Sequence, residues 1–132
     1  MAHRRRSQPS NAKAPDYLDE IARAEWDRVL PELEELGFFD PVFTEMLGGY
    51  CSVFSTATYH EGLCEKHGDD HVLEEGTEFA ETTRERADGY WEEVFELAVE
   101  FGLTPESRRD ITAYLRREGL KSMRDWRPEL KG

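Results

Sequence analysis

A chain of 132 residues, 38% hydrophobic and 35% charged with a formal net charge of −12, has room for one core and reads as a single, highly charged globular unit. No apolar run reaches membrane length and no hydrophobic segment follows the leading arginines, so neither a membrane span nor a signal peptide is expected, and a reducing cytoplasm is the natural setting. A glycine-rich phosphate loop followed by Lys-Ser or Lys-Thr is also missing, which excludes nucleotide hydrolysis by that device.

The total charge hides three segments of different sign. Residues 1–15 hold four bases and no acid (+4), residues 16–104 hold 24 acids against five bases (−19), and residues 105–132 hold eight bases against five acids (+3). A uniformly acidic protein would repel nucleic acid, so any DNA contact falls to the two basic ends while the acidic middle turns away. The same boundaries divide the chain into an arm (1–15), a helical core for self-association (16–104) and a C-terminal helical segment (105–132).

Residues 1–14 are polar and carry no apolar periodicity, so the arm is expected to be extended or disordered when free. The first helix is predicted from near Asp16, because Leu18, Ala22, Trp26, Val29, Leu33 and Leu36 recur at helical steps and share one face. Pro31 is expected to kink or interrupt it, and Gly37 to end it. Asp40 and Pro41 then supply an N-cap and a first-turn proline for a second helix reaching about Lys66, with Phe43, Met46, Leu47, Tyr50, Phe54 and Ala57 as its apolar stripe. Gly48 and Gly49 inside that stripe each cost roughly 1 kcal/mol relative to alanine, so either another helix approaches closely there or the helix breaks.

An acidic linker over 68–76 precedes a third helix, in which Ala80, Ala87, Tyr90, Trp91, Val94, Ala98 and Phe101 recur about every 3.5 residues, the spacing of a coiled-coil-like seam. A helical hairpin cannot cover all the aromatics of this region, so part of the surface is read as a subunit interface, with Tyr50, Phe54, Tyr90, Trp91 and Val94 as its candidate contacts. Within residues 100–108, Glu-Phe-Gly-Leu-Thr-Pro-Glu-Ser-Arg, one helix stops and the next starts: Gly102 suits the left-handed closing position, Thr104 the N-cap and Pro105 the first turn. A short helix over 108–118 follows, with Ile111, Tyr114 and Leu115 inward and Gly119 at its end, and Ser122 is placed to cap a last turn containing Trp126. No segment shows strand alternation and no internal repeat is visible, so the fold class is all-α, a helical hairpin or bundle with long antiparallel helices.

The arrangement of Trp26, Pro31, Leu33 and Gly37 on the first helix, Tyr50 and Cys51 on the second, and the run from Phe101 to Arg108 resembles the small subunit of tailed-phage terminases. In that family a basic arm leads into a helix with a Trp and a Pro-x-Leu-x-x-x-Gly ending, a second helix has a Tyr-Cys pair, and a third ends in Phe-Gly-Leu-Thr-Pro-x-Ser-Arg. The chain departs from the family between the second and third helices, where an Asn-Pro-containing stretch is usual and residues 68–79 are acidic instead. The resemblance implies a non-catalytic DNA-recognition protein of the host cytoplasm, without cofactor, that forms a ring-like homo-oligomer. Its partners would be double-stranded viral DNA and the large terminase subunit, which has the ATPase and nuclease.

Flexible guanidinium groups bind phosphate bidentately and enter narrow minor grooves, so Arg4, Arg5, Arg6 and Lys13 are candidate DNA contacts, against the plainer reading of a solubility tail. Arg116, Arg117, Lys121 and Arg124 form a second candidate basic surface, whose competing use is salt bridging to the acidic body of a neighbouring subunit. The competing function is an acidic protein-binding adaptor without direct DNA contact.

Three other constellations invite chemistry. His60, Cys64 and His67 fall on one helix face, with His71 beyond, in the manner of metal ligands, but one helix and its exit make an awkward tetrahedron. Asp69, Asp70, Glu74 and Glu75 read as a solvated charge run more readily than as a Mg²⁺ site. Ser52, Ser55 and Thr56 near His60 have neither a nucleophile elbow nor an oxyanion arrangement, and catalysis there is discarded. Cys51 and Cys64, more than about 15 Å apart on one straight helix at ~1.5 Å per residue, cannot bridge.

Overall fold

Side-chain caps set the start of three of the four described α-helices, while the second continues from a short 3₁₀ turn with no side-chain cap of its own. The computed structural model describes residues 12–73 and 80–120. Helix α1, Glu20–Leu36, starts where the Asp19 carboxylate accepts the Ala22 N–H at 2.8 Å, and ends at Gly37 in the left-handed conformation. That start lies beyond the one predicted near Asp16, because residues 12–19 have other work. They form a non-helical strap along the second helix: Ala12, Ala14 and Leu18 pack against the core, the Tyr17 hydroxyl donates to Glu45 at 3.2 Å, and the Ser55 hydroxyl donates to Asp19 at 2.7 Å. Residues 12–15 of the predicted arm are therefore laid against the body.

Helix α1 runs unbroken through Pro31, contrary to the expected interruption. Proline removes one donor to the carbonyl four residues back, and both Pro31 and Asp27 are exposed, so that carbonyl stays within reach of water.

Asp40 caps a 3₁₀ turn, Pro41–Phe43, by accepting the Val42 N–H at 3.0 Å, and α2 follows as Thr44–His67. It is continuous across both glycines. The close approach at Gly48 comes from the strap, not from a helix: a Cβ there would lie 2.6 Å from the Tyr17 hydroxyl oxygen and 2.9 Å from Pro15 Cγ. Gly49 faces open space.

Helix α3, Thr83–Glu100, opens with a reciprocal cap in which Thr82 and Glu85 each satisfy the other's backbone N–H. It begins later than Ala80, after an isolated antiparallel bridge between Val72 and Thr82, and there is no strand among the described residues. Helix α4 is Pro105–Glu118, closed by a left-handed Gly119. The predicted last turn with Ser122 and Trp126 lies outside the described residues.

The described chain is all-helical. Helix α2 is the hub, packing most extensively on α3 and next on α1. Val29 and Leu33 of α1, Phe39, and Leu47 and Cys51 of α2 are almost wholly buried at the centre, with Trp26 edge-on to Phe39 at 6.4 Å between ring centres. No helix of the described residues is long and apolar enough to cross a membrane. Cys51 and Cys64 are both free thiols.

Candidate nucleic-acid and subunit interface

The corner between α3 and α4 positions the C-terminal basic surface. Gly102 is required there twice over: its φ of +74° is the left-handed region, and a Cβ would sit 2.8 Å from the Phe38 ring and 2.9 Å from Ile111 Cδ1. Thr104 accepts the Ser107 N–H at 3.2 Å and Pro105 fills the first turn, so α4 leaves in one direction. Arg108 then locks the corner, its Nε donating to the Gly102 carbonyl at 3.1 Å and its Nη1 pairing with Glu32 of α1 at 3.2 Å. This arginine is a structural clasp.

Along the outer face of α4, Leu103, Pro105, Thr112 and Ala113 line a shallow depression edged by Arg108, Arg109 and Arg116. Arg117 points elsewhere and lies over the Tyr114 ring at 5.8 Å. At the other end of the chain Lys13 is exposed at the root of the arm. Arg4, Arg5, Arg6, Lys121 and Arg124 lie outside the described residues.

Of the five side chains read from the sequence as subunit contacts, Tyr50 and Val94 are buried within the chain, and Phe54, Tyr90 and Trp91 are half-buried. Tyr50 is 3% exposed and donates its hydroxyl to the buried Glu25 at 2.6 Å. Phe54 packs edge-on to Trp91 at 5.8 Å, Trp91 Nε1 donates to Glu61 at 3.0 Å, and Tyr90 stacks on His60 at 4.9 Å. Val94 is buried on the same side of α3. This seam joins α2 to α3 and gives the aromatics partial cover within the chain.

A different face of α3 was missed. Phe95 is 60% exposed and Val99 is 36% exposed, and Asp88, Glu92 and Glu96 border them. Counting apolar residues at seam spacing picks out 94, 98 and 101 and passes over the neighbouring pair at 95 and 99, although that i, i+4 pair is itself an apolar stripe.

The remaining candidates separate. His60 sits between Tyr59 and Tyr90, Cys64 is buried, and His67 stacks on His71 at 5.1 Å. No group of three or more His, Cys, Asp or Glu among the described residues is arranged to hold a metal ion. Asp69 faces Arg84 at 3.8 Å and Asp70 is exposed, while Glu74 and Glu75 lie outside the described residues. Ser55 is occupied with Asp19, and Thr56 donates to the Ser52 carbonyl at 3.1 Å, an intrahelical bond. Burial holds the His60 imidazole below its ordinary pKa, helped by the nearby Arg86, and pushes the Cys51 thiol up to about 12, so neither is set up as a cation or a nucleophile.

A family model described as phage terminase, small subunit, matches residues 22–117. No curated protein and no solved structure matches the chain.

Proposed function

The chain belongs to the phage terminase small-subunit family, and from that premise we propose that it recognises viral DNA for genome packaging as a non-catalytic subunit and delivers it to the large subunit with the ATPase and nuclease. The family match carries this reading. Charge supports the division of labour: the acidic helical hub serves self-association into a ring-like homo-oligomer, and the basic ends reach the duplex. The proposed contacts are Arg4, Arg5, Arg6 and Lys13 from the arm, with Arg116, Arg117, Lys121 and Arg124 from the C-terminal end. Many weak arginine–phosphate contacts from repeated copies add through multivalency, and DNA shape supplies the selectivity.

Binding of packaging-site DNA by the full chain, followed by fluorescence anisotropy as salt is raised, tests the reading. Affinity should fall steeply, with a log–log slope that shrinks by roughly 0.9 for each phosphate contact removed. Replacing Arg4, Arg5 and Arg6 with alanine leaves the strap at 12–19 untouched and should weaken binding and flatten that slope. Salt-insensitive binding, or no binding at low salt, overturns the proposal and favours a protein-binding adaptor.

A further inference from the structure

We propose that the acidic stripe on α3 of one copy docks into the arginine-edged depression on α4 of another copy, so that these two surfaces form the subunit contact. The inference rests on the self-association read above and names the surfaces that would mediate it.

Helix α3 has two apolar faces, and a monomer needs only one. Ala87, Val94 and Ala98 are buried against the rest of the chain. At 100° per residue, Asp88, Glu92, Phe95, Glu96 and Val99 fall within an arc of roughly 100° on the outer side. Phe95 stands in solvent at 60% exposure at its edge. A large exposed aromatic beside an exposed valine, rimmed by Glu92 and Glu96 with Asp88 already paired to Arg84, has the composition of a binding stripe.

Among the described residues, two depressions have a mainly apolar lining that could receive such a stripe, and charge chooses between them. One is lined by Phe38, Phe43, Met46, Phe101, Ile111 and Tyr114 but edged by Glu100 and Asp110, which would repel Glu92 and Glu96. The other, on α4, sets an apolar floor of Leu103, Pro105 and Ala113 among Arg108, Arg109 and Arg116. Arg108 is already paired with Glu32, whereas Arg109 and Arg116 make no ion pair among the described residues, and neither do Glu92 and Glu96. A duplex would satisfy the guanidinium groups and leave the apolar floor uncovered. The α3 stripe satisfies both, with Phe95 on the floor and Glu92 and Glu96 against Arg109 and Arg116. This assignment removes Arg116 from the DNA-facing set.

Stripe and depression are different patches on each copy, so every contact leaves one of each free for the next copy. Such head-to-tail pairing closes into a ring when the rotation between copies permits. It also explains how a body so strongly negative can self-associate: each junction sets carboxylates of one copy on guanidinium groups of the next.

Sedimentation velocity on the full chain, with circular dichroism as the check on folding, tests the pairing. The wild type should assemble. Glu92→Arg with Glu96→Arg, and separately Arg109→Glu with Arg116→Glu, should each reduce it to a monomer, while all four changes in one chain should restore assembly. Phe95→Ala should weaken association at least tenfold without the salt dependence of the charge changes. Assembly that survives both reversals overturns the surface assignment while leaving self-association intact; a wild type that is monomeric overturns self-association itself. A depression variant that still assembles but loses DNA binding gives the arginines to DNA and refutes the pairing. Replacing Arg4, Arg5 and Arg6 should leave assembly unchanged, which separates this outcome from the fate of the DNA reading.

Discussion

Helix α2 is held at its two ends by different physics. Its first half meets α1 through buried contacts: the Glu25 carboxylate, only 3% exposed, accepts from the Tyr50 hydroxyl at 2.6 Å beside Trp26, Phe39 and Cys51, and on its outer side it also accepts from Arg28 of its own helix, whose side chain is 63% exposed. Its last half meets α3 through a stacked pair, His60 on Tyr90, and through charges that solvent reaches, where Arg84 binds Glu61 at 2.5 Å while held by Asp88 of its own helix at 2.9 Å, and Trp91 donates to the same Glu61. In a dry contact an unpaired polar atom is costly, so the first half admits one arrangement. Exposed ion pairs are weak and screened, so the second half responds to salt and pH. The hub is thus rigid where α1 and the strap meet it and tunable near the acidic linker.

The sharpest way to break this contrast is to remove one partner from the dry network. Tyr50→Phe leaves the buried carboxylate short of a donor and should destabilise the protein by about 2 kcal/mol in urea denaturation. Glu25→Leu orphans the phenol instead. Combining the two should be milder than their sum, because both ends of the bond go together. Simple additivity would mean that water reaches the site and that the first half is no drier than the second.

A smaller effect distinguishes the adjacent glycines. Gly49→Ala meets nothing and should stabilise α2 by about 1 kcal/mol. Gly48→Ala gains the same propensity but drives its methyl into Pro15 and the Tyr17 hydroxyl, so the strap must move and the gain should vanish or reverse. Equal stabilisation by both, read from the same urea midpoints, would show that the strap is not seated on α2.

Much of the frame was legible because the signals were local. Thr104-Pro105 is a self-contained cap and opens α4 where predicted, whereas Asp40-Pro41 caps a 3₁₀ turn ahead of α2 instead of opening that helix directly. The errors came where a distant residue decides: Asp16 to Asp19 lose their helix to contacts with Glu45, Gly48 and Ser55, residues about one helix away in the chain. The aromatic seam shows the same limit. Periodicity identified Tyr90, Trp91 and Val94 as a face, but only the path of α2 shows that this face also packs within the chain, with Tyr90 and Trp91 half-buried, and that Phe95 and Val99 are left outside. The arginines of the depression were visible as charge, whereas Leu103, Pro105 and Ala113 beside them form a floor only after the corner at Gly102 has turned.

The smallest predicted effect belongs to the wet end of α2. The Arg84 guanidinium, with Trp91 assisting, holds the Glu61 carboxyl below its ordinary value. A depressed carboxyl pKa in the fold means that the partnership is fully present above the usual glutamate range and is lost as pH falls through the lowered value. Arg84→Ala should therefore lower Tm near neutral pH in dilute buffer, and by less than either change at Tyr50 or Glu25. The difference from wild type should shrink at molar salt and again at a pH below the lowered Glu61 value, whereas the Tyr50→Phe deficit should persist in molar salt. A deficit at Arg84 that salt leaves untouched would show that this end of the hub is held by packing around Trp91 and Phe54, and the contrast between the two halves would then be one of shape, not of charge.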